Sequence, residues 1–480
     1  MPFLGTTGGG SVKQYGGLAN LGYFIKNSLR FRSNASTYFN RTPASAGNRQ
    51  IWTWSGWIKR GDTSNLSGSG DAGELSIFGS GTSAVSGNGV CTLGFTGYDY
   101  LQVWQYISGT QWNLVTTQVF RDYSAWYHIV FAVDTTQATA SNRIKLYVNG
   151  VQVTAFGTAS YPSQNYNTGI NSTDAHNIGR RPDGSNYWGG YLTENNFIDG
   201  QQLTPSSFGK TDGATGQWIP KKFAGTYGTN GFYLKFADAS AATAAAIGKD
   251  SSPNGNNWTP NNISVTAGAT YDAMIDSPSL SAAASNYCTW NPLFRFSYTG
   301  SFAGTFSDGN LKVTTGGNPT QFAGTMELCD GAYYEVTAVS IDVSRSYIGL
   351  FSPSLSNLVT STTDVAYSGT YNVLYSRDGG IWINTTTGGN QPLTGSTWTN
   401  GDVISVAYKS GKIYLAKNGV WQNSGVPASG TGFVASGWDA YGALLPYCGY
   451  NSTFSANFGQ QPFAYTPPSG FKSLNAFNLP

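Results

Sequence analysis

Hydrophobic and polar positions alternate along much of this chain in short runs, separated by clusters of Gly, Asn, Ser and Thr. Period-two alternation between turn-forming clusters marks strands with one buried face. "IWTWSGWIKR" (51–60) sets Trp52, Trp54 and Gly56 against Ile51, Thr53 and Ser55, then continues through Trp57 and Ile58 to a charged edge. The same alternation points Trp54 and Trp126 inward. "RIKLYVNGVQV" (143–153) predicts a hairpin, because Asn149-Gly150 supplies the two positive φ values of a type I′ turn. That turn pairs Val148 with Val151 and Leu146 with Val153, and leaves all four on one face with Ile144. Asn418-Gly419, after "KIYLAK", predicts a second hairpin of the same kind.

Further strands are expected at "HNIGRR" (176–181), "YLTENNFI" (191–198) and "GFYLKFAD" (231–238), and a new series runs from "AYYEVTAVS" (332–340) to "STFSANFGQQPFAY" (452–465). Helical signals are short, the clearest being the Thr-Pro-Ser-Ser start after Leu203. The fold class is therefore all-β: two tandem antiparallel jelly-roll sandwiches behind a Gly-rich N-terminal arm. The arm covers residues 1–25, the first sandwich 26–270 with a closing loop at 239–268, a linker 271–294, and the second sandwich 295–480.

Composition narrows the partners. Only 10% of the 480 residues are charged, against about 25% in ordinary soluble domains. A net charge of +2 without a basic stripe argues against nucleic acid. No run is long and apolar enough for a membrane span. The opening segment lacks a charged start followed by an apolar core, so no Sec leader is expected, and release within an assembled particle would suit such a chain. Cys91, Cys288, Cys329 and Cys448 are too scattered for a zinc site or disulfide framework and read as buried thiols. Few lysines guard the expected edge strands, so burial against neighbours in a symmetric homo-oligomer, a trimer, is expected, docked through residues 1–25.

Three loops mix aromatic rings with amides, Asp or Arg among glycines, a mixture that suits sugars, whose apolar faces stack on rings while hydroxyls bond polar groups. "GYDYLQVWQY" (97–106) offers Tyr98, Asp99 and Trp104; "RRPDGSNYWGG" (180–190) offers Asp183, Tyr187 and Trp188; "SGWDAYGALLPYCGY" (436–450) offers Trp438, Asp439 and Tyr441. Core packing competes for these rings, since alternation buries about half of them whatever they bind.

"WYHIVFAVD" (126–134), "RIKLYVNGVQV", "HNIGRR" and "GGYLTENNFIDGQQLTPSSFG" (189–209) follow one another in the order seen in laminin-G, concanavalin A-like domains, which the first block resembles. "YYEVTAVS", "YIGLFS", "GDVISVAYKSGKIYLAKNGVW" and the closing "FSANFGQQPFAYTPPSGFKSLN" resemble a SPRY domain. Tandem chains of this kind, with a Gly-rich start, are similar to structural proteins of tailed bacteriophages, especially marine ones. The resemblance implies a non-enzymatic virion protein, a tail fibre or surface appendage that displays lectin-like sandwiches toward a host glycan or receptor and contacts other virion proteins. The alternatives are a capsid or tail decoration protein with a packing role, and a secreted bacterial adhesin, which the missing leader disfavours. Some laminin-G domains hold Ca²⁺ with an Asp at the rim, which makes Asp99 and Asp183 the candidate ligands; no other cofactor is expected. The wider superfamily includes glycoside hydrolases, which need paired carboxylates. The four glutamates here, Glu74, Glu194, Glu327 and Glu335, form no Glu-x-Asp or Glu-x-x-x-Glu run. Glu194 falls on the family's structural closing strand, and His128 falls at a family position that packs.

Overall fold

A computed structural model describes residues 23–61, 75–81, 89–107, 109–294, 296–297, 304–315, 320–342, 346–353, 371–385 and 390–479. Every paired strand within its sheets is antiparallel, and the sheets form two sandwiches. In the first, sheet A runs Val151–Gln152, Ile144–Val148, Trp126–Asp134, Ile51–Arg60, Gly190–Asp199, Ser28–Phe31, Ala273–Met274, with Phe232–Leu234 also paired to Gly190–Asp199. Sheet B runs Phe156–Ser160, Thr110–Val119, Tyr100–Tyr106, Val90–Phe95, Leu75–Ser80, His176–Ile178, Tyr38–Arg41, Thr259–Asn261. Trp52 and Trp54 of sheet A meet Phe78 and Trp112 of sheet B in one core. The Trp54 ring stacks on Phe78 at 6.0 Å. The second sandwich pairs a sheet centred on Leu445–Gly449 and Tyr347–Ser352 with one centred on Ala332–Ser340 and Val403–Lys409.

Both Asn-Gly turns form as the sequence dictates, with φ of +49° and +83° at Asn149-Gly150 and +48° and +78° at Asn418-Gly419. Each Asn has a second use. The Asn149 Oδ1 accepts the backbone N–H of His128 and the Asn418 Oδ1 that of Val403, both at 2.8 Å, so each turn is tied to the adjacent strand of its sheet. The Thr-Pro-Ser-Ser signal yields one 3₁₀ turn, Pro205–Ser207, and the single α-helical turn among the described residues is Ala140–Arg143.

Several expectations need revision. The stretch 239–268 is more than a closing loop, because Thr259–Asn261 pairs with Tyr38–Arg41 and Trp258 is buried in the core. Residues 271–294 are tightly packed. Ala273–Met274 adds to sheet A, and the Asp272 carboxylate receives Arg30 at 3.2 Å and Arg32 at 2.8 Å. Trp126 does not face the first core. Together with Trp57 and Tyr191 it lies on the outer face of sheet A, in a cluster continuous with Trp290 and Phe458 of the second sandwich. At this junction Lys59 and Asp276, both with fully buried side chains, pair at 2.9 Å. The same ammonium donates to the Tyr287 carbonyl at 2.8 Å, and Trp126 Nε1 donates to Asp276 at 3.0 Å. Residues 1–22 of the expected arm lie outside the described residues. Its last residues belong to the folded body, with Ile25 buried in the junction cluster and Tyr23 bonded to Glu194.

Candidate functional site

The outer face of sheet A is covered, by the second sandwich at Trp57, Trp126 and Tyr191 and by Phe208, Tyr227 and Tyr233 at Val130, Ala132 and Ile198, whereas the outer face of sheet B lies on the opposite side of the first sandwich. Alternation in Tyr100–Tyr106 turns Leu101 and Val103 into the core and Gln102, Trp104 and Tyr106 outward. Register then lines up Asn113, Trp104, Thr92, Gly79, Asn177 and Asn40 as direct neighbours on six adjacent strands. At about 4.8 Å per strand this row is about 24 Å long. It combines an indole, three amides and a hydroxyl, and holds no carboxylate. Gln102 Nε2 donates to Asn113 Oδ1 at 3.0 Å, while the Gln102 Oε1, buried, meets no donor among the described residues. Tyr106 is 45% exposed, and its ring lies 6.5 Å edge-on from Trp104. Gly79 is needed here, since a Cβ would stand 2.6 Å from the Cys91 carbonyl and 3.3 Å from Pro182 Cδ. The turn after Ile178 thus seats Pro182 on the middle of the row and divides it in two.

The loop residues expected from the sequence meet different fates. Tyr98 is exposed at the turn before Tyr100–Tyr106. Asp99, with φ +69°, accepts bonds from Arg60 and Arg121, both at 2.8 Å, and from Tyr123 at 3.2 Å, so arginines fill the role assigned to Ca²⁺. Asp183 is likewise engaged, by Arg181 and by the Ser185 amide at 2.9 Å. Burial pushes its carboxyl up, but these bonds outweigh burial and hold it below the ordinary range. No group of three His, Cys, Asp or Glu side chains suited to a metal occurs among the described residues. Trp188 and Trp438 are core residues, 0 and 1% exposed, and present no stacking surface. Trp188 stacks on Phe95 at 5.9 Å, and Trp438 meets Tyr441 at 5.0 Å. Tyr187 is half-buried with its edge on Tyr38. Asp439 is exposed and Tyr441 half-buried, both on the second sandwich. Gln102, Asn113, Asn177 and Tyr38 were not expected. The Gln-x-Trp-x-Tyr alternation was the available signal for Gln102, whereas the others depend on strand order.

The two histidines are neutral. His128 is stacked between Trp57 and Trp218 and bonds both Ser55 Oγ and Trp218 Nε1, and burial lowers its pKa to about 3. His176 accepts the Asn171 N–H at 2.9 Å, and burial lowers it to about 4. Glu194 sits at a break in strand register with φ +51°, a conformation strained for a non-glycine residue. Its carboxyl accepts Tyr233 at 2.6 Å and Tyr23 at 2.7 Å, and burial pushes its pKa up to about 7. The charged groups acting on it are Lys235 and Lys222. Glu335 similarly receives Tyr333 and the amides of Ala464 and Tyr465, pinning the C-terminal turn. Glu74 lies outside the described residues.

Residues 33–207 match a laminin-G family model described as the concanavalin A-like lectin/glucanases superfamily. No curated protein matches the chain. Among solved structures, the chain is similar to the SPRY domain of human HERC1, at 17% identity and TM-score 0.24, covering 32% of this chain and 91% of that one. A putative carbohydrate binding protein from Bacteroides ovatus is similar at 16% identity and TM-score 0.29 over 50% of this chain and 59% of that one. Domains LG4-5 of the mouse laminin alpha1 chain are similar at 9% identity and TM-score 0.29 over 95% of this chain and 88% of that one.

Proposed function

We propose that the first sandwich is a non-catalytic carbohydrate-binding module and that the chain is a virion appendage or tail-fibre protein that presents it to host-surface glycans. The outer face of sheet B carries the reading. Half-buried Trp104 beside exposed Tyr106 offers an apolar platform, and half-buried Asn113, held by the buried Gln102, offers an amide at its edge, within residues that match a lectin/glucanases superfamily model. The absence of carboxylates from the row and the occupied oxygens of Glu194 support binding without cleavage. Attachment through residues 1–25 to other virion proteins, in a homo-oligomer such as a trimer, would raise weak single-site affinities by avidity. A decoration role with packing alone is the second reading, favoured by the buried Lys59–Asp276 junction that locks the sandwiches together.

Affinity electrophoresis of the purified chain through gels containing host polysaccharides tests the choice. Wild type is expected to be retarded at micromolar or weaker affinity. Trp104→Ala is expected to weaken retardation about tenfold, with its melting midpoint kept and no reducing ends released by either protein. Equal mobility of the two proteins in every gel favours the packing role, and released reducing ends would make the chain a hydrolase.

A further inference from the structure

The half of the row beyond Pro182 has chemistry of its own. The Arg180 guanidinium carbon lies over the Tyr38 ring, 3.8 Å from its centroid and 6.0 Å from that of Tyr187, whose ring meets Tyr38 edge-on at 6.1 Å. The Tyr38 ring covers one side of the group and leaves its N–H edge as the bonding direction. On that edge one nitrogen, Nη2, donates to Asn177 Oδ1 at 3.2 Å. The Arg180 Nε and the Asn177 Nδ2 are both buried, and neither meets an acceptor among the described residues. Asn177 is only 1% exposed, and Arg180 makes no ion pair with a carboxylate among the described residues. The neighbouring aspartate, Asp183, is committed to Arg181 and Ser185. A buried donor without an acceptor is destabilising, and two such donors on bonded neighbours make a place where donors exceed acceptors.

We propose that Tyr38, Asn177, Arg180 and Tyr187 form a subsite for the carboxylate of an acidic sugar, a uronate-type residue of a larger glycan. This deepens the carbohydrate-binding reading and rests on it. A planar carboxylate matches the fork of Nε and an Nη of a stacked arginine, and the Asn177 Nδ2 supplies a third donor. Three strand spacings, about 14 Å, separate Asn177 from Trp104 along the row, so one oligosaccharide reaches both. Arg180 is half-buried, so a ligand meets its guanidinium from solvent, with the buried Nε and the Asn177 Nδ2 behind that edge.

The test measures binding of the full chain to polygalacturonate, dextran sulfate and neutral dextran. Wild type is expected to bind polygalacturonate about tenfold more tightly than dextran. Arg180→Gln should remove that preference with neutral binding unchanged within about twofold, and Arg180→Lys, which keeps the charge and loses the fork, should recover only part of it. Equal wild-type affinity for polygalacturonate and dextran overturns the subsite and leaves the carbohydrate reading standing. A preference for dextran sulfate over polygalacturonate, or an acidic preference that survives Arg180→Gln, overturns the carboxylate assignment. No binding to any of the three at millimolar concentration would remove the carbohydrate reading and the subsite together. If Arg180→Gln does not fold, the ratio of wild-type affinities for the three polymers still decides.

Discussion

Replacing Lys59 by Met is expected to destabilise the protein by about 3 to 5 kcal/mol, the effect of breaking a buried ion pair by removal of one partner. Lys59 and Asp276 have fully buried side chains, and burial already pushes the Asp276 carboxyl up against the pull of the Lys59 ammonium. Without that ammonium the carboxylate keeps the Trp126 indole and a Tyr287 amide at 3.3 Å, which cannot balance a full charge in the junction. The residue also sits among Trp57, Trp126 and Tyr191, so loss of the pair opens the apolar contact between sandwiches. Denaturant unfolding reads the effect as a lowered midpoint. Adding Asp276→Leu to the variant should recover most of the loss, since the isolated charge is gone. A shift below about 1 kcal/mol for the single variant would show that water reaches the pair.

Glu194→Gln is expected to change how stability depends on pH. The Glu194 pKa rises from 4.5 unfolded to about 7 folded, because burial outweighs the hydrogen bonds from Tyr233 and Tyr23 and the attraction of Lys235 and Lys222. The folded chain therefore holds the proton more tightly than the unfolded chain. This contribution is fully present below the unfolded value and is lost as pH rises through the folded one. Over the window from about 4.5 to 7 the loss amounts to about 3 kcal/mol. Glutamine resembles the protonated acid and does not titrate. The stability of the variant relative to wild type should thus grow by about 3 kcal/mol between pH 4 and 8, measured from denaturant midpoints. A difference independent of pH would show that folding leaves the Glu194 pKa at its unfolded value.

Local chemistry made the strands and turns legible. Trp54 read as inward, and both Asn-Gly pairs read as hairpin tips, because period-two alternation and positive φ are properties of neighbouring residues. Long-range pairing was not legible. Thr259–Asn261 looked like loop, with Asn and Pro and no alternation, and is a strand only because the edge at Tyr38–Arg41 needs a partner. Asp272 and Asp276 looked like linker residues, since nothing near them in sequence announces Arg30, Arg32 or Lys59. Trp126 read as inward because alternation gives a parity and not the identity of the face, and a second sandwich makes the outer face a core as well. The candidate site divides in the same way. Trp104 was visible in its aromatic, amide-rich loop. Trp188 and Trp438 had the same surroundings in sequence, and only the folded chain shows them to be core. Arg180 and Asn177 gain meaning from Tyr38, which lies far away in sequence and is brought alongside by strand order.

A crystal structure of the protein grown with an acidic oligosaccharide at millimolar concentration tests the central claim most directly. The account places an intact, uncleaved glycan on the outer face of sheet B, with one sugar ring against the Trp104 indole and a carboxylate at Arg180. A glycan seated on the second sandwich, a cleaved product, or an unoccupied sheet B face under these conditions would contradict it.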